Sequence, residues 1–160
     1  MTHGHYDHAD SAAALSRALN ANVLAHPVKT DLLRQGKWRR PAKLAPTLMG
    51  HLMTRLIAKR FPDRLEAIPE IKHIQDNGAL AVNGLRTLTL PGRSAGQVGF
   101  GIPQPVGETV WIVGDVIMTA PRLDEPNLYE DRSGGLSSIT ALAKRVQPGD
   151  LICPGQGAPL

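Results

Sequence analysis

The sequence predicts an α/β fold, and three features carry that expectation. Over the first third of the chain, apolar side chains recur at three- and four-residue spacing, the pattern of helices. From Ile71 onward the pattern changes to period two, with turn residues between short runs. A last helix-like segment then precedes a short final strand. At 160 residues, with 42% hydrophobic residues, 16 Gly and 13 Pro, the chain is sized for one domain of short strands and loops.

Taken in order, Asp10-Ser11-Ala12-Ala13-Ala14-Leu15-Ser16-Arg17-Ala18-Leu19 reads as a helix over 9–20, with Asp7 or Asp10 as cap and Asn20-Ala21-Asn22 as its end. Val23-Leu24-Ala25-His26 reads as a short buried strand ended by Pro27. Residues 30–36 read as a short helix stopped by Gly36. Residues 37–46 are basic and punctuated by Pro, hence loop. Thr47 then caps a basic amphipathic helix whose apolar stripe is Leu48, Met49, Leu52, Met53, Leu56 and Ile57. Together these make a basic helical insertion at about 37–62. Residues 71–75 alternate, Asp76-Asn77-Gly78 is turn chemistry, and residues 79–82 and 85–90 read as a hairpin around Asn83-Gly84. Residues 97–102 and 109–114 extend it into a β-meander. Residues 117–135 read as a polar loop, 137–146 as the last helix and Leu151-Ile152-Cys153 as the last strand. A βαβ unit needs a strand ahead of its helix, and none precedes the helix at 9–20.

The net charge is +4, concentrated at Arg34, Lys37, Arg39, Arg40 and Lys43, then Arg55, Lys59 and Arg60. The sequence has no zinc-finger spacing, RNA-binding aromatic signature or repeat, so these residues read as a solvated basic face and nucleic acid is not an expected partner. A single cysteine, Cys153, excludes an internal disulfide and permits a reducing compartment. No secretory signal or membrane-spanning run is present, so the expected location is the cytoplasm.

The chemistry is concentrated in Thr2-His3-Gly4-His5-Tyr6-Asp7-His8. His3 and His5 cannot share a helix face, so the stretch reads as a loop entering a helix, folded around one or two ions. Imidazole and carboxylate at this density suit a borderline metal such as Zn²⁺. A second motif, Gly92-Arg93-Ser94-Ala95-Gly96, fits the spacing of a serine nucleophile elbow. That elbow needs a following helix and a downstream histidine. A strand-like Gln97-Val98-Gly99-Phe100 follows instead, and no histidine occurs after His73, so that chemistry is excluded.

At residues 3–8 the sequence resembles the metallo-β-lactamase superfamily, whose signature is His-x-His-x-Asp-His. Leu90-Pro91-Gly92-Arg93-Ser94-Ala95-Gly96 is similar to the family's Pro-Gly-His-[Ser/Thr]-x-Gly loop. Val110-Trp111-Ile112-Val113-Gly114-Asp115 is similar to its strand ending in a metal-bridging Asp. Cys153-Pro154-Gly155-Gln156-Gly157 is similar to its closing Pro-Gly-His-Gly loop. The resemblance implies part of an αββα sandwich lacking the N-terminal strands, because the motif begins at residue 2; a shortened or fragmentary chain is expected. It also implies hydrolysis of an ester, thioester, lactone or lactam, a small-molecule substrate, and one or two Zn ions. His3 and His5 would hold one ion, with Arg93 where a third imidazole belongs. Asp7 and His8 would hold the other, with Gln156 where a histidine belongs. Asp115 would bridge them, and Asp7 would orient the catalytic water. Two replaced ligands imply weak or lost activity. The alternative expectation is a non-catalytic module that forms a homo-oligomer through an uncovered sheet.

Overall fold

A computed structural model of the chain describes residues 1–38, 62, 64–74, 78, 80, 84–120, 122–126 and 128–160. The basic helical insertion expected at 37–62 lies outside these residues, apart from its ends. So do the turn at 76–77 and most of the hairpin around Asn83.

The first half holds helices α1 (Tyr6–Ala9), α2 (Ala12–Leu19) and α3 (Thr30–Arg34) with strands β1 (Val23–Ala25) and β2 (Ile71–His73). The second half holds β3 (Arg86–Thr89), β4 (Val98–Pro103), β5 (Thr109–Gly114), α4 (Arg132–Ala143) and β6 (Leu151–Pro154). The larger sheet runs β3-β4-β5-β6. Its first three strands are antiparallel, and β6 lies parallel to β5. A parallel neighbour needs a crossover, and α4 supplies it.

Two separate cores follow from the alternation of side chains along the strands. Leu88, Trp111 and Val113 point to one face, where Leu142, Ile139 and Val146 of the α4 region cover them. Ala9, Ala13, Ala25, Leu33, Ile68 and Ile71 form the other core, beneath α1–α3. The opposite face of the large sheet carries Phe100, Ile102, Val110 and Leu151, with Ile112 still 40% exposed. The interleaving of inner and outer residues is what the sequence alternation required, and this second, half-buried face is apolar.

Three details differ from the sequence reading. The helix expected over 9–20 is split, with α1 ending at Ala9 and α2 starting at Ala12. β2 does not open the meander: it pairs in parallel with β1, Val23 opposite Ile71. The last helix starts five residues early, at Arg132, because Gly134 and Gly135 are helical. Glycine there costs helix stability, but a Cβ on Gly92 would overlap the Gly135 backbone, so the loop carrying Arg93 packs directly on the α4 backbone.

Residues 1 and 2 join the halves. The Met1 amine donates to Leu24 O (2.9 Å) in β1, and Val98 N in β4 donates to Thr2 O (2.8 Å). His3 and His5 are therefore held by a segment strung between two sheets, where a preceding strand had been thought necessary. Among the described residues no helix is long and apolar enough to cross a membrane.

Candidate metal centre

The site is assembled at the ends of β5 and β6 and at the start of α1. Asp115 follows β5 and is 2% exposed. His3 and His5, 3% and 2% exposed, precede α1. His8 comes from within α1, and Asp7 stands at its outer rim. Thr2 Oγ1 lies 3.2 Å from His3 Nδ1, which leaves His3 Nε2 facing Asp115 Oδ2 at 3.7 Å. His8 Nε2 lies 3.1 Å from Asp115 Oδ1 and 3.5 Å from Asp7 Oδ2. The 3.1 Å contact lacks hydrogen-bond alignment, so both of its atoms remain without a hydrogen-bond partner.

Gly155 makes this convergence possible. Its N–H donates to Gly114 O (2.8 Å), and a Cβ there would overlap Asp115 Oδ1 and come within 2.7 Å of His8 Cε1. The loop beyond it is pinned by Thr119, whose N–H donates to Gln156 O (3.0 Å) and whose hydroxyl donates to Ala158 O (2.6 Å). Gln156 Nε2 donates to Asp7 Oδ2 (3.2 Å). All seven residues singled out in the sequence meet here, from four separated segments.

Two ligand groups share Asp115: His3, His5 and Asp115, and Asp7, His8 and Asp115. Within each, the ligand atoms lie within 4.8 Å of one another. The groups differ in what stands beside them. Arg93 Nη2 is 3.4 Å from Asp115 Oδ2, on the His3 side. A guanidinium only donates and stays charged, so the position of a third imidazole holds a fixed cation instead. Spacing alone admits an ion between His3 and His5; charge does not, and charge decides. The Asp7, His8 and Asp115 group has no cation in that place. Its buried, unpartnered His8 Nε2 and Asp115 Oδ1 are the lone pairs a metal uses, and Gln156 adds an amide. This second group fits a metal and the first does not.

Several supporting residues were invisible in the sequence. Lys29 Nζ donates to Glu130 Oε1 and to Ser94 Oγ (2.9 Å), and Ala95 N donates to Glu130 Oε2 (2.8 Å). The Glu130 and Asp131 N–H groups both donate to Gly92 O (2.9 Å each). This clamp fixes the loop carrying Arg93. Ser94 is fully buried within it, which agrees with excluding it as a nucleophile. Gln97, also fully buried, donates to Val113 O (3.1 Å) under the site. Lys29 and Glu130 are 101 positions apart, and no local pattern links them. His26 accepts locally from Val28 N (3.3 Å) and caps the turn at Pro27–Lys29.

Burial holds His3 well below the ordinary imidazole value, and burial with the Arg93 charge lowers His5 to about 2. His8 is also penalised by burial, but its contact with Asp115 outweighs that and raises it. Burial opposes the charge on Asp115 too, yet His8, His3 and Arg93 together lower its pKa. The metal-free protein is therefore expected to lose stability below the imidazole reference value, about pH 6.5. Below it, the unfolded chain takes up protons that folded His3 and His5 refuse, and stability falls by up to ~2.7 kcal/mol per pH unit for the two rings. Above it, the stabilising contribution of protonated His8 is lost as pH rises through its raised folded value. Urea unfolding from about pH 5 to 9 reads both limbs. A flat acid limb would show that His3 and His5 protonate in place.

Two candidate ligand groups, one with His3 and His5 and one with Asp7 and His8, thus share a single acid within an α/β frame. The model of the metallo-beta-lactamase superfamily matches residues 1–156, and the chain belongs to that superfamily, whose members bind metal ions. Solved structures agree on the fold. TTHA1623 in a di-iron-bound form is 22% identical with a TM-score of 0.62, covering 99% of this chain and 69% of that one. The BLEG-1 B3 metallo-beta-lactamase is 20% identical with a TM-score of 0.67, covering 99% and 68%. A B. thuringiensis AiiA mutant with N-decanoyl-L-homoserine bound at its active site is 18% identical with a TM-score of 0.61, covering 96% of this chain and 53% of that one. No curated protein matches the sequence.

Proposed function

We propose that the chain is a metal-dependent hydrolase acting on esters, thioesters, lactones or lactams, with one zinc ion held by Asp7, His8 and Asp115, and with low turnover. The observation that carries this is the buried, unpartnered pair His8 Nε2 and Asp115 Oδ1 beside the Asp7 carboxylate. Such a pair is costly to bury unless something binds it. An ion bound there would acidify water and polarise an acyl oxygen. The chain's own residues do the rest. Asp7, on the solvent side of His8, orients the water and accepts its proton. Gln156 holds Asp7 through its amide N–H. His5 and Tyr6 face Trp38, at ring distances of 6.4 and 6.0 Å, which packs this end of the site against the first core. A reducing location such as the cytoplasm suits the lone Cys153.

The test is metal per chain by elemental analysis, with Asp7→Ala/His8→Ala as control. Turnover is then assayed on an aryl ester, N-decanoyl-L-homoserine lactone and a β-lactam. About one ion per chain, lost with all turnover in the control, is the expected result. A parent protein that binds no ion after incubation with zinc refutes it.

The uncovered sheet face supports a second reading, in which two copies pack Phe100, Ile102, Val110, Ile112 and Leu151 against each other. Stable interfaces bury roughly 800 Å² per partner. Light scattering should then give a dimer that Ile112→Glu converts to monomer; a monomeric parent excludes it.

A further inference from the structure

We propose that Arg93 is a catalytic residue whose guanidinium stabilises the oxyanion formed during acyl hydrolysis, standing where the resemblance puts the first ion. This rests on the hydrolase reading above. Three observations point to it.

The first is placement. Arg93 Nη2 lies 3.4 Å from Asp115 Oδ2, so the head group reaches the acid that both ligand groups share. The second is an uncommitted donor. Arg93 Nη1 is buried and has no hydrogen-bond partner, although the side chain is only 14% exposed. One arm of the fork is thus spent on Asp115 while the other is unused. The third is rigidity. The loop bearing Arg93 is locked by Lys29 and Glu130, by the paired N–H bonds to Gly92 O, and by the close packing of Gly92 on Gly135. A charge held this way needs no reorganisation when negative charge develops beside it, which is the requirement for electrostatic catalysis. A guanidinium merely filling a hole would not need so firm a loop.

The reaction balances as follows. A water oxygen bonds to the acyl carbon while its proton passes to the Asp7 carboxylate. The carbonyl electron pair moves onto the acyl oxygen, which accepts a hydrogen bond from Arg93 Nη1–H. When that pair returns, the bond to the leaving oxygen, sulfur or nitrogen breaks. The leaving group keeps the bonding electrons and takes the proton from Asp7. One water is consumed and Asp7 and Arg93 end as they began.

The experiment compares the zinc-loaded parent with R93M and R93K. Turnover is expressed per bound ion, and binding of hexylphosphonate, a tetrahedral anion, is measured by calorimetry. Loss of one oxyanion donor typically costs about 10²–10³ in kcat. R93M is therefore expected to lose about that factor in kcat per ion with little change in KM, and to bind hexylphosphonate at least ten-fold more weakly. R93K, which keeps the charge without the fork, should fall between. Because R93K retains a cation beside Asp115, it reports even where R93M folds poorly. Unchanged kcat per ion and unchanged phosphonate affinity in either variant would overturn the role of Arg93 while leaving the hydrolase reading intact. A parent that binds zinc but hydrolyses none of the panel would instead overturn the hydrolase reading, and the catalytic role with it.

Discussion

The double variant Arg93→His/Gln156→His is expected to bind one more metal ion per chain than the parent and to hydrolyse its best ester at least ten-fold faster, the added ion taking over and exceeding the oxyanion stabilisation that the Arg93 guanidinium supplies in the parent. The Arg93 position removes a ligand and adds a repulsive charge 3.4 Å from the shared acid. Returning an imidazole there completes a set with His3 and His5, of which His3 Nε2 and both His5 ring nitrogens are buried and unpartnered. At position 156, imidazole replaces an amide that presently only donates to Asp7. Altering outer partners alone changes metal affinity by ~10–100-fold, so restoring two direct ligands should exceed that. Elemental analysis and turnover on the same sample check both halves. No gain in either would mean that the frame around residues 1–8 no longer holds ligand geometry. Arg93→His also carries its own diagnostic: thermal stability should become sensitive to chelator, which the parent, with a guanidinium in place, should show less.

Asp115→Ala is expected to destabilise the metal-free protein by about 3–5 kcal/mol, because removing one member of a buried ion pair leaves the other charge uncompensated. Asp115 faces His3, His8 and Arg93 at once, at 3.7, 3.1 and 3.4 Å. It also belongs to both ligand groups, so metal binding should vanish entirely. Urea unfolding measures the first effect and elemental analysis the second. Adding Arg93→Met to Asp115→Ala should recover much of the lost stability, since the stranded cation goes as well. Additive losses in that cycle would place the cost elsewhere, in packing against Gly155.

The candidate ligands were legible in the sequence because their chemistry is compressed into short motifs. His3, His5, Asp7 and His8 fall within six positions, and Asp115 closes a buried strand whose limits, Thr109–Gly114, match the period-two run. Turn residues marked Gly36 correctly, which adopts φ +66° after α3. What stayed hidden depends on long-range partners. Ile71-Lys72-His73 alternates as any edge strand does, and nothing local says that it lies beside Val23 and not beside the meander. Gly134 and Gly135 look like helix breakers until Gly92 is seen packing against them. Lys29 and Glu130 are ordinary charges in sequence and become a clamp only in three dimensions. Nothing local shows how His3 and His5 are held, which Met1 and Thr2 do by reaching both sheets through backbone bonds.

The two-core construction gives the seam at residues 1–3 a mechanical meaning. Asp7 and His8 ride on the half beneath α1–α3, and Asp115 rides on the half beneath α4. Anything that grips all three is a further cross-link between the two halves, beside the bonds of Met1, Thr2 and Lys29. Loading the site should thus do more than add binding energy to one locality. It should couple the melting of the halves, so that hydrogen exchange in α2 and in α4 slows together on loading and diverges when the ion is stripped away.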